Sequence, residues 1–174
     1  RQFVSDSLAR IREALVDRPF RPGRLLGGRY QVRRVLGMGS YGISYLCEDR
    51  RDGRRCVVKQ VRPSKRGGRK GEPVFEREAA VLERLAHPAI PRLIDRFADG
   101  GGLFLVMEYK HGRNLEDALF ADNRTFSTAK ALRVLRELCD IVAYVHRRGF
   151  VHRDVRIPNV MIGDDGRLAL IDFG

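Results

Sequence analysis

The chain has 174 residues, 43% of them hydrophobic and 32% charged, which suits one globular domain or two small lobes that share a cleft. No apolar run reaches the ~18 residues of a membrane span, and the three cysteines lack disulfide or zinc-ligand spacing, so we expect a cytoplasmic protein with reduced thiols. The net charge of +12 arises from 29 arginines and five lysines scattered among 22 acidic residues, and we therefore do not expect nucleic acid to be the main partner.

Residues 1–24 predict an amphipathic helix followed by a linker. Apolar residues from Phe3 to Val16 recur at helical spacing, and Pro19 ends the pattern. We expect the helix to pack on the main body of the protein. A helix on a membrane surface is the alternative, which acidic residues on its polar face disfavour.

Residues 25–108 predict an antiparallel sheet with one helix, because short turns rich in glycine or charge separate the strands. The predicted strands are Tyr30–Leu36, Ile43–Glu48, Arg55–Val61, Arg92–Phe97 and Leu103–Tyr109. A basic loop over 62–73 precedes the predicted helix Val74–Ala86, which ends at His87-Pro88.

Residues 109–174 predict a mainly helical region. The expected elements are a short helix at Asn114–Phe120, a long helix at Ser127–Arg148, and strands at Val160–Ile162 and Leu168–Ile171. The long helix carries an apolar stripe formed by Leu132, Leu135, Leu138, Ile141, Val142 and Val145. The change from strands to helices predicts an α+β fold with two lobes and a cleft at the crossover Glu108-Tyr109-Lys110.

A glycine-rich segment, Gly37 to Gly42, lies between two predicted strands. A dinucleotide fold needs a helix after its glycines, so this segment predicts a hairpin loop instead. Glycines in such a loop let backbone N–H groups approach phosphate oxygens. A glycine turn that binds no ligand is the alternative.

Lys59 ends the buried-looking strand segment Cys56-Val57-Val58-Lys59. A lysine there is costly unless it is paired, and in an arginine-rich chain it indicates a need for a compact ammonium group. A strand-end lysine that points to solvent is the alternative. Of the two candidate partners on the following helix, Glu78 and Glu76, we favour Glu78 because it is in register with the apolar inner face.

Two polar motifs follow the long helix. Asp154 and Asn159 lie five residues apart in one loop, and Asp172-Phe173-Gly174 begins 18 residues after Asp154. Two carboxylates and an amide, together with a phosphate-binding glycine loop, are what metal-assisted phosphoryl transfer requires. The sequence therefore predicts a phosphotransferase.

From Tyr30 to Gly174 the order and spacing of these motifs resemble the Hanks-type (eukaryotic-like) serine/threonine protein kinases of bacteria. The resemblance implies a bilobal kinase fold, with a five-stranded antiparallel N-lobe and helix αC over 25–108 and a truncated, mainly helical C-lobe over 109–174. It implies ATP and Mg²⁺, or Mn²⁺, as cofactors, and Ser/Thr hydroxyls of proteins as acceptors, with autophosphorylation included. Because the motifs stop at Gly174, we expect a fragment or the ordered part of a longer kinase.

The resemblance also implies a role for each matched residue. The loop over the ATP phosphates consists of Gly37, Met38, Gly39, Ser40, Tyr41 and Gly42. Lys59 contacts the α- and β-phosphates and Glu78 is its ion-pair partner. Asp154 is the catalytic base, Arg156 contacts the γ-phosphate, and Asn159 and Asp172 bind Mg²⁺. The adenine site consists of Val57, the gatekeeper Met107, the hinge residues Glu108, Tyr109 and Lys110, and Met161, while Leu82, Leu93, His152 and Phe173 match the regulatory spine.

Two other classes are kept as alternatives. Small-molecule phosphotransferases and minimal atypical kinases usually read His-Gly-Asp where this chain has Arg153 before its aspartate. A non-catalytic kinase-like scaffold is disfavoured by the complete set Lys59, Asp154, Asn159 and Asp172.

Two further positions bear on the resemblance to kinases. Pro158 stands where tyrosine kinases carry an arginine, which favours Ser/Thr acceptors. Ser44 replaces the valine that usually covers adenine.

Overall fold

The computed structural model describes residues 18–39, 42–61, 71–120 and 125–173. The predicted N-terminal helix, the loop residues Ser40 and Tyr41, most of the basic loop and Gly174 lie outside the described residues. The chain divides into two compact units, one formed by residues 1–75 and 95–106 and the other by 76–94 and 107–174. The lobe boundaries predicted at residues 25, 108 and 109 stay a prediction.

The first unit contains most of a six-stranded sheet with the order β1-β2-β3-β4-β6-β5. Its strands are β1 (Leu25–Leu26), β2 (Tyr30–Gly39), β3 (Gly42–Asp49), β4 (Arg55–Val61), β5 (Leu93–Asp99) and β6 (Gly102–Glu108). The strands β1 to β4 pair antiparallel. The sheet has one strand more than predicted because the two-residue β1 pairs with the start of β2, which periodicity cannot reveal in so short a segment.

Alternating side chains of β2, β3, β4 and β6 form one apolar core, because successive residues of a strand face opposite sides of a sheet. The fully buried members include Val32, Ile43, Tyr45, Val58 and Phe104. Cys47 and Cys56 lie directly opposite each other in β3 and β4, and burial raises the pKa of each thiol to about 12. All three cysteines of the chain are free thiols.

An ion-pair cluster lies at one end of this sheet. The Arg29 guanidinium donates to both Asp49 carboxylate oxygens, at 2.9 and 2.6 Å, and approaches Asp95 at 3.3 Å. The Tyr30 hydroxyl donates to the same Asp95 carboxylate at 2.7 Å. The hydrogen bond from Arg29 lowers the pKa of Asp49 below its usual range, although burial of the carboxyl acts in the opposite direction.

Within the described residues, the remaining elements are three helices and a small sheet. The helices are α1 (Gly71–Arg84), α2 (Leu115–Phe120) and α3 (Thr128–Arg147), with a short 3₁₀ helix at Ile157–Asn159. The sheet consists of β7 (Arg113–Asn114), β8 (Val160–Ile162) and β9 (Leu168–Leu170), which pair antiparallel in that order. No helix within the described ranges is both long and apolar enough to cross a membrane.

Helix α3 matches the predicted range Ser127–Arg148 to within one residue at each end. The Ser127 hydroxyl accepts the Lys130 N–H, and Gly149, with a φ of +81°, follows the last turn. The predicted apolar stripe is buried at Ile141 but not along its first half, where Leu132 is 60% and Leu135 56% exposed. Ile141 and Val145, both in the C-terminal half of α3, are the stripe residues that are buried, so periodicity alone overestimated the buried length.

Candidate active site

The glycine-rich segment is a hairpin between β2 and β3, as its position between strands predicts. Pairing continues to Gly39 opposite Gly42. Gly42 has a φ of +148°, and a Cβ there would collide with the carbonyl oxygen of Gln60. By contrast, no atom of the described residues lies within 4 Å of a Cβ placed on Gly37 or Gly39. Packing therefore requires glycine at position 42, whereas the described residues would leave room for a side chain at the other two positions.

Lys59 is only 5% exposed, which excludes the alternative of a solvent-facing lysine. It lies in β4 directly opposite Ser44 in β3. Val57, two residues earlier and opposite Leu46, lies on the same face of the sheet and is half-buried. The sheet therefore presents the ammonium group and an apolar side chain on one face, as a nucleotide site would need.

Glu78 is 1% exposed, whereas Glu76 lies on the exposed side of α1. The burial of Glu78 agrees with its predicted position on the apolar face of the helix, because Ala79, Leu82 and Leu85 are also buried. A carboxylate among apolar side chains is costly unless it is paired or hydrogen-bonded. The choice between the two glutamates thus agrees with the side that α1 buries.

The predicted hinge leaves the end of β6. Met107 is buried, and the N–H of Glu108 donates to the carbonyl of Arg92 at 2.9 Å. The Glu108 carboxylate lies 3.0 Å from the Lys110 ammonium. The ring of Tyr109 packs edge-on against that of His111 with centroids 4.8 Å apart. Alternate residues of this extended segment therefore contact each other in pairs on its two sides.

The loop after α3 brings Asp154, Arg156 and Asn159 together. The amide nitrogen of Asn159 donates to the Asp154 carbonyl at 2.9 Å and to its carboxylate at 2.8 Å. Arg156 Nε donates to the same carboxylate oxygen at 3.0 Å. The aspartate is thus fixed from two sides, as an orienting base requires.

His152 is buried beneath this loop. Its Nδ1 accepts the Asp154 N–H at 3.3 Å, and its Nε2 lies 3.0 Å from the Ile171 carbonyl, which can only accept. These partners fix the neutral tautomer with the proton on Nε2. The ring also packs edge-on against Phe173 with centroids 4.5 Å apart, so two of the four predicted spine residues are in contact.

Asp172 follows β9 on a backbone that is tied to the same loop. The N–H of Ile171 donates to the Asn159 carbonyl at 2.9 Å. Asp172 has a φ of +66° and Arg153 a φ of +71°, left-handed values that non-glycine residues seldom adopt. Such strain often concentrates at functional positions, and here it occurs at Asp172 itself and at Arg153, which immediately precedes Asp154.

Two supporting residues were not identified from the sequence. Glu137 accepts the N–H of Leu168 at 2.8 Å and so fixes the start of β9. The Tyr144 hydroxyl both accepts from the N–H and donates to the carbonyl of Ala86, at 2.9 and 3.0 Å. Both residues share a helical face with the buried Ile141, at spacings of four and three, and that spacing was the available signal.

The structure therefore brings the predicted residues together in two groups. The first unit holds Gly37, Met38, Gly39, Gly42, Val57 and Lys59 on neighbouring strands. The second unit holds Glu78, Met107, Glu108, Tyr109, Lys110, Asp154, Arg156, Asn159, Met161 and Asp172. Met161 lies in β8 and is half-buried.

The model of the protein kinase domain family matches residues 30–174. Probable serine/threonine-protein kinase YbdM of Bacillus subtilis (strain 168) is 39% identical over 168 residues, which are 97% of this chain and 65% of YbdM. Serine/threonine-protein kinase B of Synechocystis is 38% identical over 156 residues, 86% of this chain and 27% of that protein.

A solved kinase-domain structure is also similar to this chain. The crystal structure of the PknI kinase domain of Mycobacterium tuberculosis aligns with a TM-score of 0.73 and 29% identity over 89% of this chain and 61% of that one. The chain thus spans less than two thirds of the length of each of these three relatives. Since the family match covers residues 30–174 and includes every motif of the two groups, the chain belongs to the protein kinase domain family.

Proposed function

We propose that the protein transfers the γ-phosphoryl group of Mg-ATP to Ser/Thr hydroxyls of proteins. The observation that carries the proposal is the Asp154 carboxylate, held by Asn159 at 2.8 Å and by Arg156 at 3.0 Å. A carboxylate so oriented can align a hydroxyl for in-line attack and accept its proton. Arg156 carries the positive charge that would stabilise the transferred phosphoryl group.

The second unit also supplies ligands that suit Mg²⁺. Because the amide nitrogen of Asn159 is engaged by Asp154, its amide oxygen remains as the atom that could bind a cation. With the carboxylate of Asp172 it offers the hard oxygen ligands that Mg²⁺, or Mn²⁺, prefers. When bound, the ion would neutralise charge on the phosphate oxygens.

Phosphate binding is assigned to the first unit. No described atom lies within 4 Å of a Cβ placed on Gly37 or Gly39, which supports close approach of phosphate oxygens to their backbone. The buried ammonium of Lys59 would hold the α- and β-phosphates. We assign Glu78 as the carboxylate that orients Lys59, an assignment that the burial of each supports.

Adenine binding is assigned to the hinge and to apolar side chains of both groups. The hinge would supply backbone hydrogen bonds through Glu108 to Lys110. The half-buried Val57 and Met161 and the buried Met107 would form the apolar walls. Ser44, on the same face of the sheet as Lys59, makes one wall more polar than a valine would.

The proposed acceptors are Ser and Thr hydroxyls of proteins, the kinase itself included. Arg156 two residues after the base, and Pro158 in place of an arginine, support this choice over tyrosine. The serine/threonine kinase names of YbdM and the Synechocystis relative point the same way. We also propose a cytoplasmic location, which the three free thiols and the proposed use of ATP support.

The test is phosphoryl transfer from labelled ATP with Mg²⁺ to a generic Ser/Thr-rich protein and to small-molecule acceptors. Asp154→Asn keeps the size of the side chain and removes the base, so we expect the rate to fall by about 10²–10⁴-fold. Asp164→Asn, an exposed aspartate in the turn between β8 and β9, is the matched control and should retain the rate.

Label on phosphoserine or phosphothreonine, lost in Asp154→Asn only, would support the proposal. Label on small molecules alone would assign the chain to the other phosphotransferase class. Equal rates in wild type and Asp154→Asn would refute the catalytic role.

A further inference from the structure

The loop that connects α1 to β5 is held by three other elements of its own unit. Four consecutive carbonyls, those of residues 86 to 89, each accept a hydrogen bond. The Tyr144 hydroxyl donates to the carbonyl of Ala86 at 3.0 Å, and the Ile90 N–H donates to that of His87 at 2.9 Å. The Lys110 ammonium donates to the carbonyl of Pro88 at 2.8 Å, and the Leu170 N–H donates to that of Ala89 at 2.8 Å. The loop is therefore tied to α3, to the hinge and to β9, which leads to Asp172.

Lys110 makes the connection to the hinge. Its ammonium donates to the Pro88 carbonyl and lies 3.0 Å from the Glu108 carboxylate. The side chain is only 15% exposed, which is uncommon for lysine unless its charge is paired. Because Glu108 and Lys110 are two residues apart on an extended backbone, both side chains lie on the same side of the hinge.

Glu108 is itself fixed at a second point. Its N–H donates to the Arg92 carbonyl at 2.9 Å, and its carboxylate accepts the Arg92 N–H at 3.3 Å. Arg92 is the last residue before β5 and Pro88 lies in the middle of the connection, so the contacts from Glu108 and Lys110 hold the hinge to two points of the same connection. The hinge backbone is thereby held in one conformation by two independent contacts.

We infer that the Lys110 side chain is a positioning residue for nucleotide binding, which holds the hinge backbone in the conformation that receives adenine. The inference rests on the proposed function for its ligand. The contacts of the Lys110 ammonium with Pro88 and Glu108, which we call the clamp, involve only residues of the second unit. It adds to the backbone role of Lys110 a separate role for the side chain. A lost clamp would weaken ATP binding without removing any group that acts on the phosphates.

The variants Lys110→Met and Lys110→Arg separate charge from size. Methionine has a similar length and no donor, whereas arginine retains the charge and several donors. A cavity of about 450 Å³ beside Lys110, lined in part by His87, Asp140 and Met161, leaves room for the larger guanidinium. Lys130→Met is the matched control, because Lys130 lies on α3 and its ammonium contacts, among the described residues, only the ring of Phe126.

Two measurements on the full protein test the inference. Amide hydrogen exchange without nucleotide should be about tenfold faster in residues 86–90 and 108–111 of Lys110→Met, since one hydrogen bond to a charged group is lost. The KM for ATP should rise by about five- to tenfold with kcat within about twofold, which a merely destabilised enzyme would not show. Lys110→Arg should stay within about threefold of wild type in both measurements.

Unchanged exchange in Lys110→Met would overturn the clamp. Faster exchange with an unchanged KM would overturn the positioning role, as would a loss in Lys110→Arg equal to that in Lys110→Met. If the wild type bound no ATP, the proposed function and the positioning role would both fail, while the exchange data would still decide whether the clamp exists.

Discussion

The two units of this chain hold the side chains that we propose to be functional by different physical means. In the first unit, Lys59, Val57 and Ser44 are ordinary strand residues, and their shared face follows from strand register. In the second unit, Asp154 and Asn159 lie in a loop fixed by side-chain hydrogen bonds. Two left-handed non-glycine residues, Arg153 and Asp172, lie beside them.

The difference shows where each unit is vulnerable. A sheet fixes side chains through the alternation of its strands, so a substitution is harmful where it displaces the backbone or removes a buried charge pair. A loop has no such repeat, so its geometry depends on individual hydrogen bonds, each with a modest net contribution to stability. Three substitutions test this contrast.

The largest effect is expected in the glycine hairpin of the first unit. Gly42→Ala should destabilise the protein by about 3 kcal/mol, because its Cβ meets the Gln60 carbonyl and its φ of +148° is unfavourable for alanine. Gly39→Ala, the matched control three residues away, meets no described atom and should change stability by less than about 0.5 kcal/mol. Urea unfolding measures both. Equal losses would mean that the hairpin tolerates no side chain at all, and the contrast between the two glycines would be lost.

An intermediate effect is expected at the ion pair of the same sheet. Asp49→Asn removes the charge that pairs with Arg29 and should cost about 2 kcal/mol, less than for a fully buried pair because Arg29 is partly exposed. Glu48, the residue before Asp49, pairs with Arg33, and this pair is more exposed than the pair of Asp49 with Arg29. Glu48→Gln should therefore cost less than about 1 kcal/mol. A similar cost for both would show that burial does not distinguish the two pairs.

The same pair predicts a dependence on pH. Because the folded-state pKa of Asp49 is lowered by Arg29, its contribution is fully present above the ordinary carboxyl pKa of about 3.9 and is lost as the pH falls through the folded-state value. Unfolding free energies measured from pH 6 downward should therefore decrease less steeply below about pH 4 in Asp49→Asn than in wild type. Parallel curves would contradict the assigned shift.

The smallest effect is expected at a single hydrogen-bonding group of the second unit. Tyr144→Phe removes the hydroxyl that serves both backbone groups of Ala86 and should cost about 1–2 kcal/mol. Tyr109→Phe is the control, since the ring packs on His111 and its hydroxyl has no hydrogen-bond partner in the described part of the chain. We expect it to change stability by less than about 0.5 kcal/mol in urea unfolding. A neutral Tyr144→Phe would show that the loop does not depend on this contact.

Much of the fold was predictable from local patterns. The strand Arg55–Val61 was predicted with its observed bounds, and the long helix to within one residue at each end, because alternation and helical spacing are properties of neighbouring residues. Glu78 was chosen over Glu76 by the same kind of argument, from its position on the apolar face. Strand β1 and the exposure of Leu132 were not predictable, since each depends on what lies against a short segment.

The candidate site divides in the same way. The order and spacing of its motifs predicted the family, which the family match confirms, and they nominated Lys59, Asp154, Asn159 and Asp172, because the chemistry of phosphoryl transfer restricts which side chains can serve. Only the tertiary structure decided how these groups are held. The hydrogen bonds from Asn159 to Asp154 and from Lys110 to Pro88 join residues through folded loops, and no sequence period specifies such contacts. Their geometry depends on the packing of whole elements, which a linear pattern does not contain.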